Sequence, residues 1–197
     1  MQTSVIITED FYDNPMAVRE HALSQEYQVR GNYPGIRTIS FLNDSVKSTI
    51  NRIISPHAGN VTWWGGEGPE NYTGCYQITT AADRTWIHAD HTTKWAAVLY
   101  LTPEAPHTAG TGLFRHKTSG LFQQPRLPNG TIDSIKENTL QGEFQDYTKW
   151  ELFDVIGNRF NRLAMYRGDY YHASLDYFGK NLQDGRLFQV FFFNTEY

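Results

Sequence analysis

The rhythm of apolar and polar positions changes near residue 60. Before that point, Val46, Ile50, Ile53 and Ile54 recur at i, i+4, i+7 and i+8, one apolar stripe of a helix beginning near Asn43 and Asp44. An earlier helix is expected from Asp13-Asn14-Pro15 to about Gln25, with a side-chain cap followed by proline at the first helical position. A short strand, TSVIIT over residues 3–8, precedes it, and Gly31 to Gly35 (GNYPG) form a turn cluster. From about residue 61 the chain breaks into short β-type runs separated by turns. VTWW, GCYQITT, TWIHAD, WAAVLYLT, GLFRH, RLAMYRGDY and RLFQVFFFN are the expected strands. Between about 117 and 150 lies a polar stretch containing QQP and LPNG, with a short helix expected over 133–140. Loops of that length in a compact domain are usually lids or binding segments, so 117–150 is read as a possible substrate lid. Helices first and many short strands afterwards predict a mainly β fold with packing helices, a jelly roll or β-sandwich.

The length of 197 residues fits one domain, with 1–60 as a helical support region and about 61–197 as the β core. Aromatic residues make up 15% of the chain, which suits half-buried pleated surfaces. The net charge of −4 argues against a general phosphate-binding face, so no nucleic-acid partner is expected. The N-terminus has no basic, apolar signal pattern and no apolar run is long enough to span a bilayer, so a cytoplasmic location without membrane contact is expected. The glycosylation patterns at Asn60, Asn71 and Asn129 are accordingly read as chance. Cys75 is the single cysteine, which excludes an intrachain disulfide and a thiolate metal cluster.

The chemistry is concentrated in two places. In Trp86-Ile87-His88-Ala89-Asp90, strand alternation puts an imidazole and a carboxylate on one face, one pleat apart. With a third ligand they would form a two-His-one-carboxylate face that leaves coordination positions open, the arrangement associated with non-haem iron(II). Far downstream, His172 follows the apolar run Arg162 to Tyr166, and Arg186 opens the final strand on the same face as Phe188, Val190 and Phe192. A guanidinium aligned with apolar neighbours needs an anionic partner, and its fork is shaped to clamp a carboxylate.

His-x-Asp, a distant His and an Arg about a dozen residues beyond it resemble the signature of the 2-oxoglutarate/iron(II) dioxygenase superfamily, over roughly residues 70–194. Trp95 to Thr102 resembles the long strand that follows the motif in prolyl-hydroxylase-like members, and Gly110 to Phe114 their Gly-rich turn. The segment from Asn161 to Asn194, with DNPMAVREHAL and GNYPGIRT, resembles a small family of mostly uncharacterised phage and bacterial members. The resemblance implies a double-stranded β-helix in which His88, Asp90 and His172 hold Fe(II) and act catalytically. Arg186 would bind the distal carboxylate of the cosubstrate 2-oxoglutarate. With O2, decarboxylation to succinate and CO2 would drive hydroxylation of an amino-acid side chain, protein-bound or free. Halogenating relatives carry a small residue at the carboxylate position, so Asp90 marks a hydroxylase. Tyr76 is a secondary candidate for cosubstrate contact, while Leu99 stands where a second cosubstrate tyrosine is expected and the facing of Tyr100 stays open.

A jelly roll holding a metal through the same three residues without catalysis is the alternative, and Arg186 weighs against it because a metal clip needs no carboxylate clamp. His91 and His116 are read as loop and strand-end residues, and His21, His57 and His107 have no partner at metal-binding spacing. Asn161 and Arg162 are assigned structural hydrogen bonds, and Trp86, Trp95 and Tyr171 either line an apolar pocket or pack in the core.

Overall fold

A computed structural model of the chain describes residues 3–66 and 72–197, so the Asn71 glycosylation pattern lies outside the described residues. The first two helices form where the caps place them. Asn14 accepts from the amide of Ala17 ahead of α1 (Pro15–Leu23), and Asn43 accepts from Val46 ahead of α2 (Asp44–Ala58). The stripe of α2 buries Val46, Ile50 and Ile54. Each such side chain contributes roughly 1.5–3 kcal/mol relative to exposure. Gly59 ends α2 with φ of +82°, and a Cβ there would lie 2.2 Å from the carbonyl oxygen of Glu196.

These helices cover one face of an antiparallel sheet. Its central strands are β4 (Cys75–Thr79), β5 (Trp95–Tyr100), β8 (Leu163–Arg167) and the long β10 (Arg186–Glu196). β1 (Val5–Thr8) and β2 (Ile36–Ser40) close the edges in the order β1-β8-β5-β10-β4-β2, and β3 (Asn60–Trp64) pairs with the far end of β10. Alternation splits the strands cleanly. Tyr76, Ile78, Trp95, Leu99, Leu163, Met165, Leu187 and Phe191 pack towards the helices. Cys75, Ala96, Val98, Tyr100, Ala164, Tyr166, Phe188 and Val190 face the other way.

That second face meets a smaller sheet of β6 (Thr111–His116), β7 (Trp150–Ile156) and β9 (His172–Ser174), in the order β7-β6-β9, with Leu113 and Ile156 completing the shared core. The two sheets form a jelly roll, as the succession of elements predicts. The helix expected inside the polar stretch is α3 (Ser134–Gln141), capped by Asp133. Asn161 takes φ of +63° and clasps both backbone groups of Tyr12 through its side chain, and Arg162 bonds Glu9. Both are structural, as expected.

TWIHAD is not a continuous strand. His88 forms an isolated antiparallel bridge with His172, and the Asp90 amide donates to the carbonyl of Gly168 at 2.7 Å. The segment is therefore pinned at two alternate residues, which keeps both side chains pointing the same way.

Candidate metal centre

The bridge sets the geometry of the site. His88 N donates to His172 O at 3.0 Å and His172 N to His88 O at 2.8 Å, so the two histidines stand opposite one another as a hydrogen-bonded cross-strand pair. Their ring centroids are 4.4 Å apart. Each ring is turned by the same local device. Nδ1 of His88 lies 3.1 Å from the carbonyl of Trp86, and Nδ1 of His172 lies 2.8 Å from that of Tyr170. A carbonyl only accepts, so Nδ1 carries the proton and Nε2 is left as a lone-pair donor. Asp90 joins them, and one ligand atom from each of His88, Asp90 and His172 lies within 4.8 Å of the others. His172 Nε2 is 3.9 Å from Asp90 Oδ2, an oxygen that is buried with no hydrogen-bond partner among the described residues.

Burial dominates the electrostatics of the three groups. Burial, reinforced by the neighbouring His172, pushes His88 down to about 4. Burial pushes His172 down to about 4 as well, against the pull of the Tyr170 carbonyl. Burial raises Asp90, with His88 and Arg37 opposing it. Two neutral imidazoles and an orphaned carboxylate oxygen suit a divalent metal of intermediate hardness. His91 follows Asp90 but is turned to Gln124, whose Nε2 lies 2.7 Å from its Nδ1. His116 sits between Glu143 and Ser119, at 2.6 and 2.8 Å.

The three groups open into a cavity of about 590 Å³ on the inner face of the larger sheet. Tyr33, Trp63, Tyr72, Tyr166, Phe188 and Phe192 supply its aromatic wall. Trp95 and Tyr171 are instead core residues, the first under the helices and the second behind the smaller sheet. None of the described residues lining the cavity comes from 117–150, and the stretch reaches the rim through Gln124, which bonds the lining residue His91. That segment folds against the smaller sheet, where Glu137 of α3 accepts from the Tyr171 hydroxyl at 2.7 Å. Asn32, Tyr33, Pro34, Arg37, Trp63, Gly65 and Gly66 stand at the cavity instead.

Arg186 occupies the inner face, in register with Phe188, Val190 and Phe192, and is fully buried. Its Nε donates to the carbonyl of Ala109 at 2.8 Å and its Nη2 to that of Gly110 at 3.2 Å. Nη1 is buried without a partner, and no carboxylate pairs with the group among the described residues. The guanidinium carbon lies 4.4 Å from the Phe188 ring, and Phe188 lines the cavity. Tyr76 is a correction. Odd-numbered residues of β4 face the cavity side, so Tyr76 points to the helices, stacked 5.4 Å from Phe41. The tyrosine beside Arg186 is Tyr100, 5.5 Å from its guanidinium carbon, with its hydroxyl 2.9 Å from Thr111 Oγ1. Leu99 faces the helices as Tyr76 does.

Two residues escaped the sequence reading. Gly168 fits against Asp90 so closely that a Cβ there would lie 3.2 Å from the aspartate Cβ. Arg37 of β2 lines the cavity with only 6% of its surface exposed. An arginine between Ile36 and Thr38 in a short strand was the available signal, but the segment reads as the tail of a turn.

The sequence profile of DUF6445, a family of unknown function, matches residues 1–193. No curated protein matches the chain. Among solved structures it resembles HygX from Streptomyces hygroscopicus with nickel and 2-oxoglutarate bound, at 11% identity and a TM-score of 0.58, covering 96% of this chain and 82% of that one. It also resembles SnoN, the non-haem α-ketoglutarate-dependent epimerase of nogalamycin biosynthesis, at 10% identity and a TM-score of 0.53, covering 98% and 79%. At these identities the likeness establishes the jelly-roll fold.

Proposed function

The chain belongs to the DUF6445 family, and we propose that it is a single-domain non-haem iron(II) oxygenase that uses 2-oxoglutarate and O2 to hydroxylate an amino-acid side chain. One observation carries the reading. Three ligand atoms converge in a cavity, with both Nδ1 atoms committed to carbonyls and the Asp90 oxygen unpartnered, while a buried arginine with an unpaired Nη1 lies on the same sheet face. HygX and SnoN, whose structures share the fold, are described with 2-oxoglutarate bound and as α-ketoglutarate dependent.

His88, Asp90 and His172 would hold the iron through Nε2, a carboxylate oxygen and Nε2. Bound there, the metal with its cosubstrate would supply the oxidant for a C–H bond and release succinate and CO2. The protein's own part is positional. The Trp86 and Tyr170 carbonyls fix the ring tautomers, and the Gly168 carbonyl fixes the Asp90 backbone. Arg186 would take the distal carboxylate of 2-oxoglutarate through Nη1, with Tyr100 beside it. The aromatic wall would give the body of the substrate an apolar surround.

Succinate release from Fe(II), 2-oxoglutarate and O2 tests the reading. Wild type should release it, and Arg186→Leu should need a much higher 2-oxoglutarate concentration with little change in metal affinity. Metal binding without succinate release in any substrate screen would favour a metal-stabilised binding module.

A further inference from the structure

Arg37 is a second buried cation; its charge opposes the burial-driven rise of Asp90, but it forms no ion pair with that carboxylate and lies apart from the contacts of Arg186. Its Nε donates to Gln77 Oε1 at 2.7 Å, and Gln77 in turn donates to the carbonyl of Pro34 at 2.6 Å. Its guanidinium carbon lies 3.7 Å above the Tyr33 ring and 5.8 Å from the rings of both Tyr72 and Phe192. The plane of the group is thus fixed on one edge by an amide and on one face by an aromatic ring. Neither Nη makes a hydrogen bond and no carboxylate pairs with the group among the described residues. A charge this buried is costly unless something anionic completes it. Arg37 also lines the same cavity as His88, Asp90 and His172.

We propose that Arg37 binds a carboxylate of the substrate to be oxidised, so that the substrate is a small carboxylic acid with an apolar or aromatic body. The inference rests on the oxygenase reading and supplies its substrate class. Two Nη groups in a fixed plane match the two oxygens of a carboxylate. A phosphate dianion would call for further cations, and Arg37 is the only Arg or Lys among the described residues lining the cavity. Tyr33, Trp63, Tyr72 and Phe192 give the body of the molecule an aromatic surround, and about 590 Å³ encloses a small molecule rather than a folded chain.

Binding can be followed without turnover by fluorine NMR, using 4-fluorophenylacetate, its neutral amide 4-fluorophenylacetamide, and 4-fluorophenyl phosphate as probes, on the metal-free and the iron-loaded protein. The carboxylate should bind more tightly than the amide in both forms. Arg37→Gln should weaken it on the order of ten- to a hundredfold, and Arg37→Lys by less, because charge survives but the fork does not. Tyr33→Leu, which keeps the charge, should weaken it several-fold if Arg37→Gln fails to fold. Equal binding of acid and amide, no binding of the acid, or tighter binding of the phosphate would each overturn the assignment. So would loss of 2-oxoglutarate affinity in Arg37→Gln with retention in Arg186→Leu, which would make Arg37 the cosubstrate clamp. Failure to bind iron would instead sink the oxygenase reading, and the metal-free probe measurement would still stand.

Discussion

Gly168→Ala perturbs the centre without touching a ligand. A Cβ at this position would lie 2.6 Å from the Thr93 carbonyl oxygen, 3.2 Å from Asp90 Cβ and 3.3 Å from Asp90 Oδ2. The first contact is with backbone, so no side-chain rotation relieves it. Nor can the two segments part freely, because Gly168 N donates to Lys94 O at 2.9 Å and Gly168 O accepts from Asp90 N at 2.7 Å. Overpacking of this kind costs about 1–3 kcal/mol. At roughly 2–4 °C per kcal/mol for a chain of this size, the metal-free protein should melt about 2–12 °C lower. The shift must be absorbed by the 90–93 segment that carries Asp90. Loss of support behind a metal ligand typically weakens metal affinity by about ten- to a hundredfold. Thermal melts of the metal-free variant and anaerobic Fe(II) titration read the two effects separately. Gly142→Ala is the control, since its nearest contact would be Thr139 O at 3.5 Å, and it should change neither quantity appreciably. A Gly168→Ala protein with unaltered melting and unaltered iron affinity would show that this close approach does not set the position of Asp90.

Three further outcomes are expected. Fe(II) at a hundredfold over its dissociation constant should stabilise the wild type by about 2.7 kcal/mol, raising the melting temperature by roughly 5–11 °C, and His172→Ala should fold yet lose that rise. In the metal-free protein, the folded-state values of about 4 for His88 and His172 lie below their usual 6.5. Their contribution is therefore fully present above pH 6.5 and is lost as pH falls towards 4, whereas Asp90, raised by burial, works in the opposite sense. Melting temperature should accordingly fall between pH 6.5 and 4, and a flat profile would mean that the imidazoles are not desolvated as the structure has them. Tyr76→Phe should leave the 2-oxoglutarate requirement unchanged, because its ring faces Phe41 and His21, and a raised requirement would restore Tyr76 to the cosubstrate pocket.

Both helix caps, the α2 stripe and the strands of the larger sheet other than β2 are legible because each is set by local chemistry. Strand alternation also put Arg186 on the face of Phe188, Val190 and Phe192, where it lies. β7 was missed because it is a half-covered edge strand. Leu152, Phe153 and Val155 are all exposed there, and a register shift in its pairing with β6 breaks the period of two. Tyr76 was misplaced because β4 is buried on both faces, so apolar character could not say which face was which. The lid reading rests on length and polar composition, and neither reveals that Glu137 and Leu140 anchor the segment to the smaller sheet. Arg37 reaches the cavity only because β2 pairs with β4, a contact that bridges forty residues of sequence and leaves no local trace.

The most direct measurement is anaerobic addition of Fe(II) and then 2-oxoglutarate, watching for the weak visible charge-transfer band of the chelate. The expected result is a band in the wild type that is absent in His172→Ala and needs more 2-oxoglutarate in Arg186→Leu. Iron bound with no band at saturating 2-oxoglutarate would contradict the assignment of this cavity as an oxygenase centre.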